Sequence, residues 1–151
     1  MSTIYTLNGK VLKNSANDKW LIKKEAPAGM VLNASNSVGT SGSTSTYWNG
    51  PDYPDGCNIE GKTVKVIVSE AITIPYQSWR ISYASRTDGQ EESMSLIDYQ
   101  EPANGVIAPG TYTFTALGHT VPPSYNYGKY ICLSGINIAD VSKITIQILG
   151  L

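Results

Sequence analysis

Apolar and polar positions alternate with a two-residue period through much of the chain from Val64 onward, the signature of strands with one buried face. Val64, Val66 and Val68 alternate with Lys65, Ile67 and Ser69. Trp79, Ile81 and Tyr83 share one face, opposite Arg80 and Ser82. After a Pro109-Gly110 turn, Tyr112 and Phe114 alternate with Thr111, Thr113 and Thr115. Ile144, Ile146 and Ile148 close the chain, separated by Thr145 and Gln147. Residues 72–74 form a short strand, Asp88 and Gly89 turn the chain into a strand over 93–99, and 129–133 read as a compact buried strand.

The opening is a meander. Ile4–Leu7, an Asn8-Gly9 turn, and Val11 with Leu12 predict a hairpin. A second turn at 15–18 leads to Trp20, Leu21 and Ile22, and the meander ends near Pro27-Ala28-Gly29. Met30–Leu32 is a short strand. Residues 33–46 are rich in Ser, Thr, Gly and Asn, which predicts an exposed loop continuing through 47–56. No segment holds helical periodicity, so at most one short helical turn is expected. The fold class is all-β: an antiparallel β-sandwich over 30–151, jelly-roll-like, preceded by a short N-terminal β-meander over 1–29.

Composition narrows the partners. Charged residues make up 15% of the chain, against roughly 25% in an ordinary domain. Ten tyrosines and a wealth of Ser, Thr and Asn suit neutral, hydroxyl-rich ligands or protein surfaces. A net charge of -1 argues against nucleic acid. Residues 1–24 hold five lysines and one aspartate, leaving the rest of the chain acidic. Two readings stay open: a basic arm that docks on a neighbour, or a solvated lysine face. No apolar run approaches the ~18 residues of a membrane helix. The N-terminus lacks the pattern of a signal peptide, so neither membrane insertion nor an export signal is expected in this chain. Cys57 and Cys132 define no disulfide framework and no zinc motif.

One motif invites nucleotide chemistry. Residues 56–63, Gly-Cys-Asn-Ile-Glu-Gly-Lys-Thr, fit the phosphate-loop pattern. That chemistry needs a strand before the loop and a helix after it. Here turn residues precede it and Val64-Lys65-Val66 follows as a strand, so Gly61-Lys62 reads as a turn into a core strand. Hydrolase chemistry is poorly supplied as well. His119 is the only histidine, and Glu91, Glu92, Asp98 and Glu101 lie in a polar hairpin where solvation explains them. Asp52, Asp55 and Asn58 match no standard calcium loop. No catalytic residue, metal or cofactor is expected.

Aromatic groups remain. A sugar offers an apolar C–H face and a hydroxyl edge, so its site wants exposed rings beside amides and carboxylates. Tyr47, Trp48, Asn49, Asp52 and Tyr53 supply that set in one predicted loop. Tyr125 and Tyr127, flanking Asn126, supply another. Tyr76, Gln77 and Trp79 form a third group, from which Trp79 is assigned to the core by its alternation with Ile81. Loop aromatics of this kind either stack on a ligand or pack over a sheet edge or a subunit interface.

The stretches Gly61-Lys62-Thr63-Val64-Lys65-Val66, Trp79-Arg80-Ile81-Ser82-Tyr83, Pro109-Gly110-Thr111-Tyr112-Thr113-Phe114 and Ile138-Ala139-Asp140-Val141-Ser142-Lys143-Ile144 resemble the jelly-roll, galactose-binding-like sandwiches of phage and bacterial surface proteins. In that family a strand of the form P-G-x-Y-x-F and a closing strand I-x-D-V-x-x-I recur. The opening residues 5–12 resemble leaders of structural proteins from phages of Gram-positive bacteria. The chain departs from sugar-binding members in lacking a calcium loop and a defined aromatic platform. The resemblance implies a non-catalytic phage structural or adhesion module, a homo-oligomer in the virion or outside the cell. Such a module would bind a host-surface glycan or another structural protein. Two alternatives stand beside it: a carbohydrate-binding module of a secreted bacterial protein, and a small hydrolase or lyase.

Overall fold

The computed structural model describes residues 4–7, 10–14, 19–20, 29–89, 95–119 and 128–151. In chain order the strands are β1 Ile4–Leu7, β2 Lys10–Asn14, β3 Lys19–Trp20, β4 Met30–Leu32, β5 Gly39–Ser41, β6 Ser45–Asn49 and β7 Thr63–Val68. They continue with β8 Ile72–Thr73, β9 Trp79–Ala84, β10 Ser95–Gln100, β11 Val106–Ile107, β12 Gly110–Thr115, β13 Tyr130–Ser134 and β14 Ile144–Leu149.

The protein is all-β, and every strand pairing is antiparallel. A four-stranded sheet in the order β12-β7-β14-β4 faces a five-stranded sheet in the order β10-β9-β13-β6-β5. β8 and β11 form a two-stranded ribbon, and β1, β2 and β3 a separate three-stranded sheet. Val64, Val66 and Val68 of β7 and Ile144, Ile146 and Ile148 of β14 point inward from the first sheet. Trp48, Trp79, Ile81, Tyr83, Ile131 and Leu133 meet them from the second. Two sheets that each bury one face against the other make a β-sandwich. Among the described residues, no helix is long and apolar enough to cross a membrane.

Two expectations need correction. Residues 33–56 are not one exposed loop: they hold a 3₁₀ turn at Ala34–Asn36, the edge strand β5 and the interior strand β6. Thr46, Tyr47 and Trp48 of β6 are all buried. A strand covered on both faces shows no alternation, so its Ser/Thr-rich surroundings hid it. The stretch Ile138–Lys143 is not part of a closing strand but a 3₁₀ helix, and Ile144 opens β14 after it. With Ala34–Asn36 and Ala103–Gly105, the described residues thus hold three such helical segments, more than the single turn expected.

The phosphate-loop pattern ends in a strand. Gly61 adopts φ +76, the Lys62 N–H donates to the Ile59 carbonyl at 2.9 Å, and Thr63 begins β7. A positive φ at this turn suits glycine, which explains the residue without any phosphate.

Candidate functional site

The register of the five-stranded sheet assembles a row that runs across all its strands. Ser41 of β5 pairs with Ser45 of β6, Ser45 with Ser134 of β13, Ser134 with Arg80 of β9, and Arg80 with Tyr99 of β10. Cross-strand partners project from the same face. That face is the one away from the core, because Trp79 and Ile81 on either side of Arg80 point inward. Three hydroxyls, a guanidinium and a phenol therefore lie side by side on the outer surface.

The neighbouring rows of that surface are closed. Tyr47, Cys132 and Ser82 occupy the next row and are 2%, 0% and 1% exposed. Part of the cover comes from the chain leaving β9. A Cβ placed on Gly39 would lie 3.1 Å from Thr87, and one on Gly89 would lie 2.3 Å from the Ser41 hydroxyl. Residues 85–89 therefore arch from β9 over to β5, on the far side of the sheet. The arch leaves the Ser/Arg row open at its rim.

A cleft of about 450 Å³ occupies this opening, bounded by Ser41, Ser45, Ser134 and Arg80 of the row and by Tyr47, Gly89 and Tyr76. Its size falls among small-molecule clefts, roughly 300–1,000 Å³. Arg80 is exposed and carries the only formal charge of the lining, and no ion pair holds it among the described residues. Tyr76 stands on the β8–β9 connection and is 62% exposed. On its other side lies a second cleft of about 850 Å³, lined by Tyr76, Gln77, Glu101 and Asn104 among others. Tyr76 is thus a ridge shared by two polar clefts. Gly135 fixes that arrangement. It has φ +89, its N–H donates to the Thr44 carbonyl at 3.0 Å, and a Cβ there would lie 2.5 Å from the Ser78 carbonyl. The backbone approach between the end of β13 and the Tyr76 connection needs a residue without a side chain.

The residues anticipated from sequence are not gathered in one place. Tyr47 contributes to the floor of the first cleft. Trp48 is a core residue, 1% exposed, whose indole N–H donates to the Asn33 carbonyl at 2.8 Å. Asn49 pairs with Tyr130 at the far end of the sheet, where the Tyr53 ring packs against Tyr130 with centroids 5.5 Å apart. Asp52 lines a separate shallow cleft with Asn58 and Lys62. Tyr125 and Tyr127 lie outside the described residues. Trp79 packs in the core as its alternation foretold. Tyr76 and Gln77 do flank open clefts, whereas the part of Arg80 and the serines was missed. Ser41, Ser45, Ser134 and Arg80 are scattered in sequence, and only strand register unites them.

Of the candidate catalytic groups among the described residues, Glu101 lines the larger cleft and the others sit elsewhere. The Cys57 thiol is buried, and burial first and the Asp52 carboxylate second push it up to about 12, so no thiolate forms near neutral pH. Cys132 is also buried, and both cysteines are free. His119 bonds the Cys57 carbonyl through Nε2 and stacks on Tyr83. Glu101 accepts from the Tyr99 hydroxyl and Asp98 from the Gln100 amide, each at 2.7 Å, while Glu91 and Glu92 lie outside the described residues. Among the described residues no group of three or more His, Cys, Asp or Glu could hold a metal ion.

Comparison with protein-family models, curated proteins and solved structures returned no match.

Proposed function

We propose that this protein is a non-catalytic adhesion module that binds a glycan on the outer face of its five-stranded sheet. The observation that carries this reading is Tyr76, an exposed ring standing between two clefts lined with hydroxyls, amides and charged groups. An exposed ring supports the apolar face of a pyranose, and the flanking polar groups meet its hydroxyl edge. The anticipated Tyr47 lines this site, whereas Trp48, Asn49, Asp52 and Tyr53 do not. The inert thiol of Cys57 and the internal bonding of His119 favour binding over covalent chemistry.

A place in a phage structural assembly belongs to the same proposal and is supported by the resemblance of the strand motifs to phage and bacterial surface sandwiches. Self-association is part of that reading. Light scattering should then give a multiple of the 16.3 kDa chain mass, and a strict monomer would remove the assembly role.

The binding claim is tested on a glycan array. The wild-type protein should retain at least one glycan that Tyr76→Ala fails to retain, with Tyr53→Ala unchanged. Silence on all glycans, or retention by Tyr76→Ala, contradicts it.

A further inference from the structure

Resting on that reading, we infer that the cleft beside Tyr76 selects sugars bearing a carboxylate, with Arg80 as the residue that recognises it. Three observations carry this. Among the described residues, Arg80 is the only charged one in the lining of the 450 Å³ cleft, and no carboxylate lines it. Its guanidinium enters no ion pair among the described residues, whereas Arg86 on the nearby arch is paired with Asp88. Its position is set by β-pairing on both sides, to Ser134 and to Tyr99, so the head group is presented from a rigid strand.

A guanidinium matches a carboxylate with two parallel N–H donors, and these charge-assisted bonds are the strong ones. The hydroxyls of Ser41, Ser45 and Ser134 continue the row away from Arg80 and can both donate to and accept from sugar hydroxyls. A ligand with one carboxylate next to a hydroxyl-bearing ring is complementary to that order of groups. Beyond residue 24 the chain carries six Lys or Arg against eleven Asp or Glu, so a cation in a cleft is not a by-product of a basic surface.

The full chain should be titrated by calorimetry with 3′-sialyllactose and lactose, and with a glucuronate-containing disaccharide and its neutral counterpart. At low salt at least one acidic sugar should bind about tenfold or more tightly than its neutral partner. The preference should shrink as salt rises. Arg80→Gln should lose it, binding each acidic sugar no more tightly than its neutral partner, and Arg80→Lys should recover only part. Equal binding of each pair, or an acidic preference that survives in Arg80→Gln, overturns the inference and leaves the glycan-binding proposal standing. Binding of none of the four sugars, together with a silent array, overturns both.

Discussion

His119 lies against Tyr83 with ring centroids 3.9 Å apart and planes 23° from parallel. Tyr83 points into the core from β9, its hydroxyl donating to the Leu117 carbonyl at 2.7 Å and accepting from the Ile59 N–H at 3.2 Å. The same phenol therefore ties the segment before β7 to the segment after β12. His119 adds a bond to the Cys57 carbonyl, so one ring pair locks two connections over the end of the sandwich.

Removing the lock should cost stability without touching the cleft. Tyr83→Phe leaves the Ile59 N–H and the Leu117 carbonyl without their partner, at a cost of about 1–3 kcal/mol. His119→Ala should fall in the same range. Denaturant unfolding checks both, and glycan binding at a temperature where the variants remain folded should equal that of the wild type.

The lock also predicts alkaline sensitivity. Burial pushes Tyr83 up from 10.0 to about 12, and burial with the Asp52 carboxylate pushes Cys57 up from 9.0 to about 12. Both groups bind their proton more tightly folded than unfolded. Their contribution is full below pH 9.0 and lost as pH rises toward about 12. Unfolding free energy should fall through that window, and the fall should be shallower in Cys57→Ala.

Trp48 and Tyr76 should separate stability from binding. Trp48→Ala removes a core side chain and should cost about 3–5 kcal/mol. Tyr76→Ala alters an exposed ring and should change stability by only about 0.5 kcal/mol, yet abolish glycan retention. Thermal melts paired with the array measure both effects.

That contrast reflects what the sequence made legible. β7 and β14 bury one face only, so the alternation of Val64, Val66, Val68 and of Ile144, Ile146, Ile148 announced them directly. β6 is buried on both faces, and Ser45-Thr46-Tyr47-Trp48-Asn49 carries no period to read. Its aromatic residues looked like loop platforms because their neighbours are small and polar, while the structure puts Trp48 in the core. The site was hidden for a different reason. Arg80 and Ser134 meet through the pairing of β9 with β13, a relation between distant segments that no local pattern encodes. Tyr76 was visible as an aromatic grouped with Gln77 and Trp79, but its place between two clefts was not.

Gly135 should tolerate no side chain. Gly135→Ala strains a residue at φ +89 and drives a Cβ to 2.5 Å from the Ser78 carbonyl. A loss of about 1–3 kcal/mol is expected from the backbone strain. Because Ser78 and Gly135 both line the cleft, the variant should also weaken glycan binding, unlike Tyr83→Phe.

Amide chemical-shift mapping of the isotope-labelled chain, titrated with the oligosaccharide giving the strongest array signal, tests glycan binding at the Tyr76 clefts most directly. The perturbed amides should centre on Tyr76, Arg80 and Ser134 and spread to Ser41 and Ser45. Perturbations confined to the surroundings of Asp52 and Tyr53, with the Ser/Arg row untouched, would contradict it.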